Sequence, residues 1–189
     1  GCENRRMPET PLAAERTLVI APGAPARMAR DYTKWFCTRP MMLAAFADAA
    51  GVLGSDEYLD IARSNADFLI AELQRDGRLL RTWKDGHAKL NGYIEDYANV
   101  ADGLLVLFQV SGESRYLDGA RRLADLMITE FWDEDGGGFF FTSNDHEELV
   151  VRNKDFYDNA TPSGNSVAAD VLVRLARLTG KDRYEKFAV

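Results

Sequence analysis

The sequence predicts an all-α protein assembled from helical hairpins, and three observations carry that prediction. Apolar residues recur at three- and four-residue steps over long stretches. A tyrosine-centred motif returns three times. A glycine-led polar turn separates neighbouring periodic segments.

The periodicity is clearest in the middle of the chain. Tyr97, Val100, Ala101, Leu104, Leu105 and Phe108 fall on one face of a helix, and Tyr116, Leu117, Ala120, Leu123, Ala124, Met127 and Ile128 on one face of the next. Gly112 stands between them, where a helix C-cap favours positive φ, and Glu113 or Ser114 can start the second helix. The small Ala120 and Ala124 let neighbouring helices approach closely.

The motif begins as GVLGSDEYLDIARSNADFLIAEL at Gly51, returns as QVSGESRYLDGARRLADLMITEF at Gln109, and begins again as RLTGKDRYEKFAV at Arg177. The first two copies share YLDxARxxADxxIxE. The tyrosines are Tyr58, Tyr116 and Tyr184, so the spacing is too long for a two-helix repeat of about 34 residues. It suits a long hairpin followed by a decorated loop. The third copy reaches Val189 about eight residues into its second helix and reads as an incomplete hairpin.

After each completed hairpin comes a short glycine-containing piece, RDGRLLRTWKDG from Arg75 and DEDGGGFFFTSND from Asp133. Leu79, Leu80, Thr82 and Trp83 favour a short strand, and so do Phe139 to Thr142. DEDGGG lacks the full ligand spacing of a calcium loop and is expected to be a glycine turn.

Composition narrows the function. The net charge of −7, with no Lys/Arg stripe, speaks against nucleic acid as a partner. Cys2 and Cys37 form no CxxC, His87 and His146 form no HExxH, and no metal or cofactor is expected. No apolar run approaches the roughly 18 residues of a membrane span. Without a signal-peptide core at the start, a cytoplasmic location is expected. The opening Gly1-Cys2 reads as an arbitrary start rather than a lipoprotein cleavage site.

The segments DGRLLRTWKDGHAKLNGYIEDYANVADGLL and FWDEDGGGFFFTSNDHEELVVRNKDFYDNATPSGNSVAADVLVRLARLTG, with the YLDxAR helices, resemble the helical region of thioredoxin-domain-containing proteins related to spermatogenesis-associated protein 20. The resemblance runs from about Met41 to Val189, and KDFYDNATPSGNS is its most specific part. It implies hairpins of the (α/α)6 toroid shared by six-hairpin glycosidases and N-acylglucosamine epimerases. The organisation expected is an irregular segment 1–30, then a partial toroid over 31–189 with hairpins at about 41–74, 93–131 and 163–189. The thioredoxin-like domain of such proteins has no match here. The family's Asp-Asp-Lys and Trp-Asn-Gly are replaced by RDYTKWFCTRPMM from Arg30, where Asp31 is kept and Trp35 is out of register. Half a toroid is expected to self-associate or to take a partner over its open side.

Two stretches carry the candidate site. In NGYIEDYANVADG, Glu95 and Asp96 open a helix, where the dipole favours negative charge. In a toroid, that end faces the central cavity. In KDFYDNATPSGNS, Thr161 or Ser163 can cap the helix that starts near Gly164, but capping leaves Lys154, Asp155, Tyr157, Asp158, Asn159 and Asn165 unexplained. That many donors and acceptors suit a polyhydroxylated ligand. Asp96, Asp155 and Asp158 are therefore the candidate catalytic carboxylates, and Glu95, Tyr97, Lys154, Tyr157, Asn159, Ser163 and Asn165 the candidate ligand-binding residues. Glycoside hydrolysis needs two carboxyl groups across the bond, and epimerisation needs bases on both faces of a carbon. Arg152 is expected to pair with Glu147 or Glu148, both histidines to be solvated, and Trp83, Trp132, Phe139 and Phe140 to be core. The expected ligand is a small carbohydrate. The alternative is a non-catalytic scaffold that works with a thioredoxin domain.

Overall fold

The computed structural model describes residues 38–84, 86–146 and 151–188. Asp31, Trp35, Glu147 and Glu148, on which expectations were placed, lie outside the described residues. Among the described residues the protein is mostly helical, 61% by residue, with few short strands.

The order of elements is α1 (Thr38–Leu53), α2 (Asp56–Glu72), β1 (Gln74–Arg75), β2 (Arg78–Lys84), β3 (His87–Asn91), α3 (Ile94–Ser111), α4 (Ser114–Phe131), α5 (Gly164–Thr179) and α6 (Asp182–Glu185). Each pair α1–α2, α3–α4 and α5–α6 is joined by a tight turn. Gly112 caps α3 at φ 70°, and its N–H reaches the Phe108 carbonyl at 2.8 Å. Gly180 ends α5 in the same way at φ 64°. This is the left-handed cap that only glycine adopts without strain.

The first helices of the hairpins lie beside one another. α3 packs most extensively on α1 and α4, and then on α5. It is therefore the central helix, with Ile94, Tyr97, Ala98, Val100, Ala101, Gly103, Leu104, Leu105 and Leu107 all buried. Gly103 lets α1 come close, since a Cβ there would lie 2.9 Å from Leu43 and 3.0 Å from the Pro40 carbonyl. Ala120 and Ala124 of α4 are fully buried, as the close-packing expectation required. The repeated tyrosines hold equivalent places in the second helices. Tyr116 and Tyr184 are buried, and the Tyr58 ring meets Phe46 in a tilted contact at 5.8 Å. Glu95, Asn99 and Asp102 of α3 are half-buried and Gln109 is exposed, and Arg174 of α5 donates to both Asp102 and Gln109.

The three strands form an antiparallel sheet in the order β1-β2-β3. Asp76 and Gly77 turn the first hairpin with φ of 51° and 78°, the primed geometry that matches strand twist. The sheet is fastened to α3 through Leu79. Its N–H donates to the Tyr97 hydroxyl at 2.9 Å, and its carbonyl accepts from Gly92 at 2.9 Å.

The strand expected at Phe139–Thr142 does not form; a single bridge joins Trp132 to Phe139. The backbone there is satisfied in other ways. The Asn165 side chain takes both polar groups of Phe139, while Phe141 donates to the Asn153 carbonyl at 2.7 Å.

Candidate functional site

The N-termini of α3 and α5 meet at one end of the helical layer. A Cβ on Gly164 would stand 2.8 Å from Ile94 Cγ2 and 2.9 Å from the Glu95 nitrogen, so the two helix starts touch through backbone. The loop between α4 and α5 is stitched to both. Ile94 N–H donates to the Phe141 carbonyl at 3.1 Å. Asn165, at the second position of α5, donates to the Phe139 carbonyl at 2.9 Å and the Asp155 carbonyl at 2.8 Å, and accepts from Phe139 N–H at 2.7 Å. The stretches around Glu95–Asp96 and Asp155–Ser166 thus share one end of the fold.

Asp96 is the buried member, 1% exposed. Its Oδ2 accepts the Tyr93 N–H and an Arg81 N–H, each at 2.9 Å. Its Oδ1 is buried without a partner. Burial pushes its carboxyl up to about 7, against the opposing pull of Arg81 and the Tyr93 N–H. Glu95, half-buried, meets the same Arg81 nitrogen at 2.9 Å. The guanidinium lies 4.5 Å above the Tyr93 ring, which also stacks on Phe141 at 4.5 Å and His146 at 5.6 Å.

His146 is therefore half-buried rather than solvated, because the turn 142–146 folds it onto Tyr93. His87 is exposed. Tyr97 is buried, its hydroxyl committed to Leu79. Phe139 is core and Trp83 and Trp132 pack at its edge, whereas Phe140, expected to be core, is half-buried beneath Arg152 and Lys154.

In the polar loop, many groups bond internally. Ser163 caps α5 by accepting from Ser166 N–H at 3.1 Å. Asp158 accepts from Ser163 N–H at 2.8 Å, a bond that holds its carboxyl below the usual aspartate value. Asp155 accepts from Tyr157 N–H at 3.1 Å. Lys154 reaches Asp133 at 2.5 Å and also the Gly137 carbonyl, so the glycine turn that resembles a calcium loop encloses an ammonium. Asp155, Tyr157, Asp158 and Asn159 are exposed, Tyr157 to 82%. Arg152 lies 4.1 Å over Phe140 and donates to Asn144 and the Thr142 carbonyl. Among the described residues no group of three His, Cys, Asp or Glu side chains is placed to hold a metal ion, and no helix is long and apolar enough to cross a membrane.

Sequence reasoning missed Arg81. It lies in the short strand expected around Leu79–Trp83, and only the docking of that strand on α3 brings it to the two carboxylates. Tyr93, two residues before the acidic pair, was also missed; its role shows only when Arg81, Phe141 and His146 are brought against its ring.

No family model matches the chain. It is 40% identical over 158 residues to spermatogenesis-associated protein 20 of Rattus norvegicus, and 39% to that of Homo sapiens. In both cases the match covers 77% of the chain and 20% of the relative, so the chain spans about a fifth of these proteins. Among solved structures, it superimposes on the cellobiose 2-epimerase of Bacillus thermoamylovorans with a TM-score of 0.66 at 16% identity, covering 80% of this chain and 41% of that one. A D-mannose isomerase gives 0.65 at 20% identity, over 78% and 39% of the two chains. An α-1,6-mannanase of a Salegentibacter species gives 0.64 at 12% identity, over 81% and 44%. That last structure is an inactive variant, with two consecutive aspartates changed to asparagine, in complex with α-1,6-mannotriose. Along this segment the chain is thus homologous to spermatogenesis-associated protein 20, and it folds as the helical hairpins of an (α/α)6 toroid.

Proposed function

We propose that the chain is the carbohydrate-binding part of a thioredoxin-domain-containing protein of the spermatogenesis-associated protein 20 type, and that Glu95 and Asp96 handle protons on a bound sugar. The observation that carries this reading is the acidic pair at the start of the central helix, with one carboxyl buried and the other half-exposed on a shared arginine. The burial of Asp96 favours its protonated form near neutral pH, as a general acid requires. The similarly folded mannanase, inactive when two consecutive aspartates become asparagine, supports the assignment by analogy. Asp155 and Asp158, exposed on the adjoining loop, are the proposed source of a second carboxylate. Tyr157 and Asn159 are the proposed contacts to hydroxyl groups. The chemistry would be of the glycosidase or epimerase kind.

A second reading is favoured by the internal bonding of Lys154, Ser163 and Asn165, which leaves less of the polar loop for a ligand. It is a non-catalytic scaffold that acts beside a thioredoxin-like domain. Calorimetric titration with cellobiose, mannose and α-1,6-mannotriose separates the two readings. The first predicts saturable binding that Glu95→Gln and Asp155→Ala each weaken about tenfold or more. Binding that neither variant changes would remove the pocket roles, and no binding of any saccharide favours the scaffold.

A further inference from the structure

We propose that Arg81 is the positioning residue of this site: one guanidinium nitrogen ties Glu95 to Asp96 and leaves Oδ1 of Asp96 as the oxygen that carries the proton. The inference deepens the reading of Glu95 and Asp96 as a proton-handling pair and rests on it, but its test needs no sugar.

The geometry is specific. Nη1 of Arg81 is 2.9 Å from Glu95 Oε1 and 2.9 Å from Asp96 Oδ2. Oδ2 also accepts the Tyr93 N–H at 2.9 Å. A proton on Oδ2 would compete with two donors, one of them cationic. Oδ1 has no partner to lose, so protonation there leaves the Arg81 and Tyr93 bonds intact.

Arg81 is itself held in place. Its guanidinium carbon lies 4.5 Å from the centre of the Tyr93 ring, and Phe141 stacks on the same ring. Arg81 comes from β2 and both carboxyl groups come from α3, so docking of the sheet fixes their relation. Hydrogen bonds at Leu79 and Gly92 secure that docking independently of Arg81. Among the described residues, the charged or titratable groups around Asp96 include Arg81 from the sheet, Glu95 from its own helix and, beyond the Tyr93 ring, His146 from the 142–146 turn.

The test is a carbon-13 NMR titration of the Asp96 carboxyl in the chain, in its original form and as Arg81→Met and Arg81→Gln. An opposite charge this close lowers a carboxyl midpoint by about 1–3 units. Arg81→Met is therefore expected to raise the midpoint by about one unit or more, a ~10-fold gain in proton affinity. Arg81→Gln, which keeps a neutral donor, is expected to shift it in the same direction by less. Hydrogen exchange at the Tyr93 amide should stay protected on both sides of the midpoint, because Oδ2 accepts in both forms. An unchanged midpoint in either folded variant, or loss of Tyr93 protection when Asp96 takes up its proton, would overturn the proposal. If the titration behaves as stated and no saccharide binds, the sugar reading falls while the role of Arg81 stands.

Discussion

Asn165 offers the sharpest mechanical prediction. Its amide makes three hydrogen bonds to backbone: one accepted from Phe139 N–H and two donated, to the Phe139 and Asp155 carbonyls. Phe139 is 2% exposed and Asn165 is 9% exposed, so removing the side chain takes the partners from largely buried backbone groups of Phe139. Each such bond contributes about 1 kcal/mol net, and a buried group left unpaired costs about 1–3 kcal/mol. Asn165→Ala is therefore expected to destabilise the chain by about 3 kcal/mol. At about 2–4 °C per kcal/mol for a chain of this size, the midpoint should fall by roughly 6–12 °C. Asn165→Asp keeps the acceptor for Phe139 N–H but sets a carboxylate against two carbonyl oxygens. It should be at least as damaging at neutral pH and recover in part on acidification, when the carboxyl can donate again. Urea and thermal unfolding of both variants at pH 5 and pH 8 measure this. A loss below about 1 kcal/mol for Asn165→Ala, or an Asn165→Asp variant insensitive to pH, would refute the view that this amide splices the loop to α5.

Two further predictions concern the neighbouring backbone and the buried acid. Gly164→Ala would place a methyl 2.8–2.9 Å from Ile94 and the Glu95 nitrogen, so the cost of overpacking, about 1–3 kcal/mol, should outweigh the helix-propensity gain of about 1 kcal/mol; equilibrium unfolding measures it, and a stabilised variant would contradict contact between the two helix starts. The folded midpoint of Asp96, about 7, lies above its unfolded value near 3.9, so the native state binds the extra proton between them. This contribution is full below about pH 4 and is lost as pH rises through 7, by on the order of a few kcal/mol. Asp133 and Asp158, whose carboxyls are lowered by Lys154 and Ser163, contribute in the opposite sense and lose their part as pH falls. Asp96→Asn should flatten the decline between pH 5 and 8 in unfolding curves, and an unaltered decline would show that another group causes it.

The helices were legible because their signals are local. Apolar spacing around Leu104 and Leu123, a glycine at 112 and a Ser163 cap each act within a few residues, and each stands where its chemistry puts it. The acidic pair was legible too, because position at a helix start is a local property. What could not be read is where side chains are spent. Lys154 and Asn165 looked like ligand contacts because the sequence does not reveal that the glycine turn at 133–138 and the Phe139 backbone would be brought to them. Phe139 to Thr142 has strand-forming residues, but a side chain and the 152–154 segment compete for its hydrogen bonds and win. Arg81 escaped notice for the same reason, since its partners lie 14 and 15 residues away across a docked sheet.

The account rests on the starts of α3 and α5 forming one sugar-binding end. Amide NMR spectra of the chain titrated with α-1,6-mannotriose or cellobiose test this most directly. The account predicts saturable shifts confined to Tyr93–Tyr97, Asp155–Ser166 and the Arg81 strand. Shifts gathered anywhere else on the fold, or none at saccharide concentrations in the tens of millimolar, a range where even weak complexes form, would contradict it.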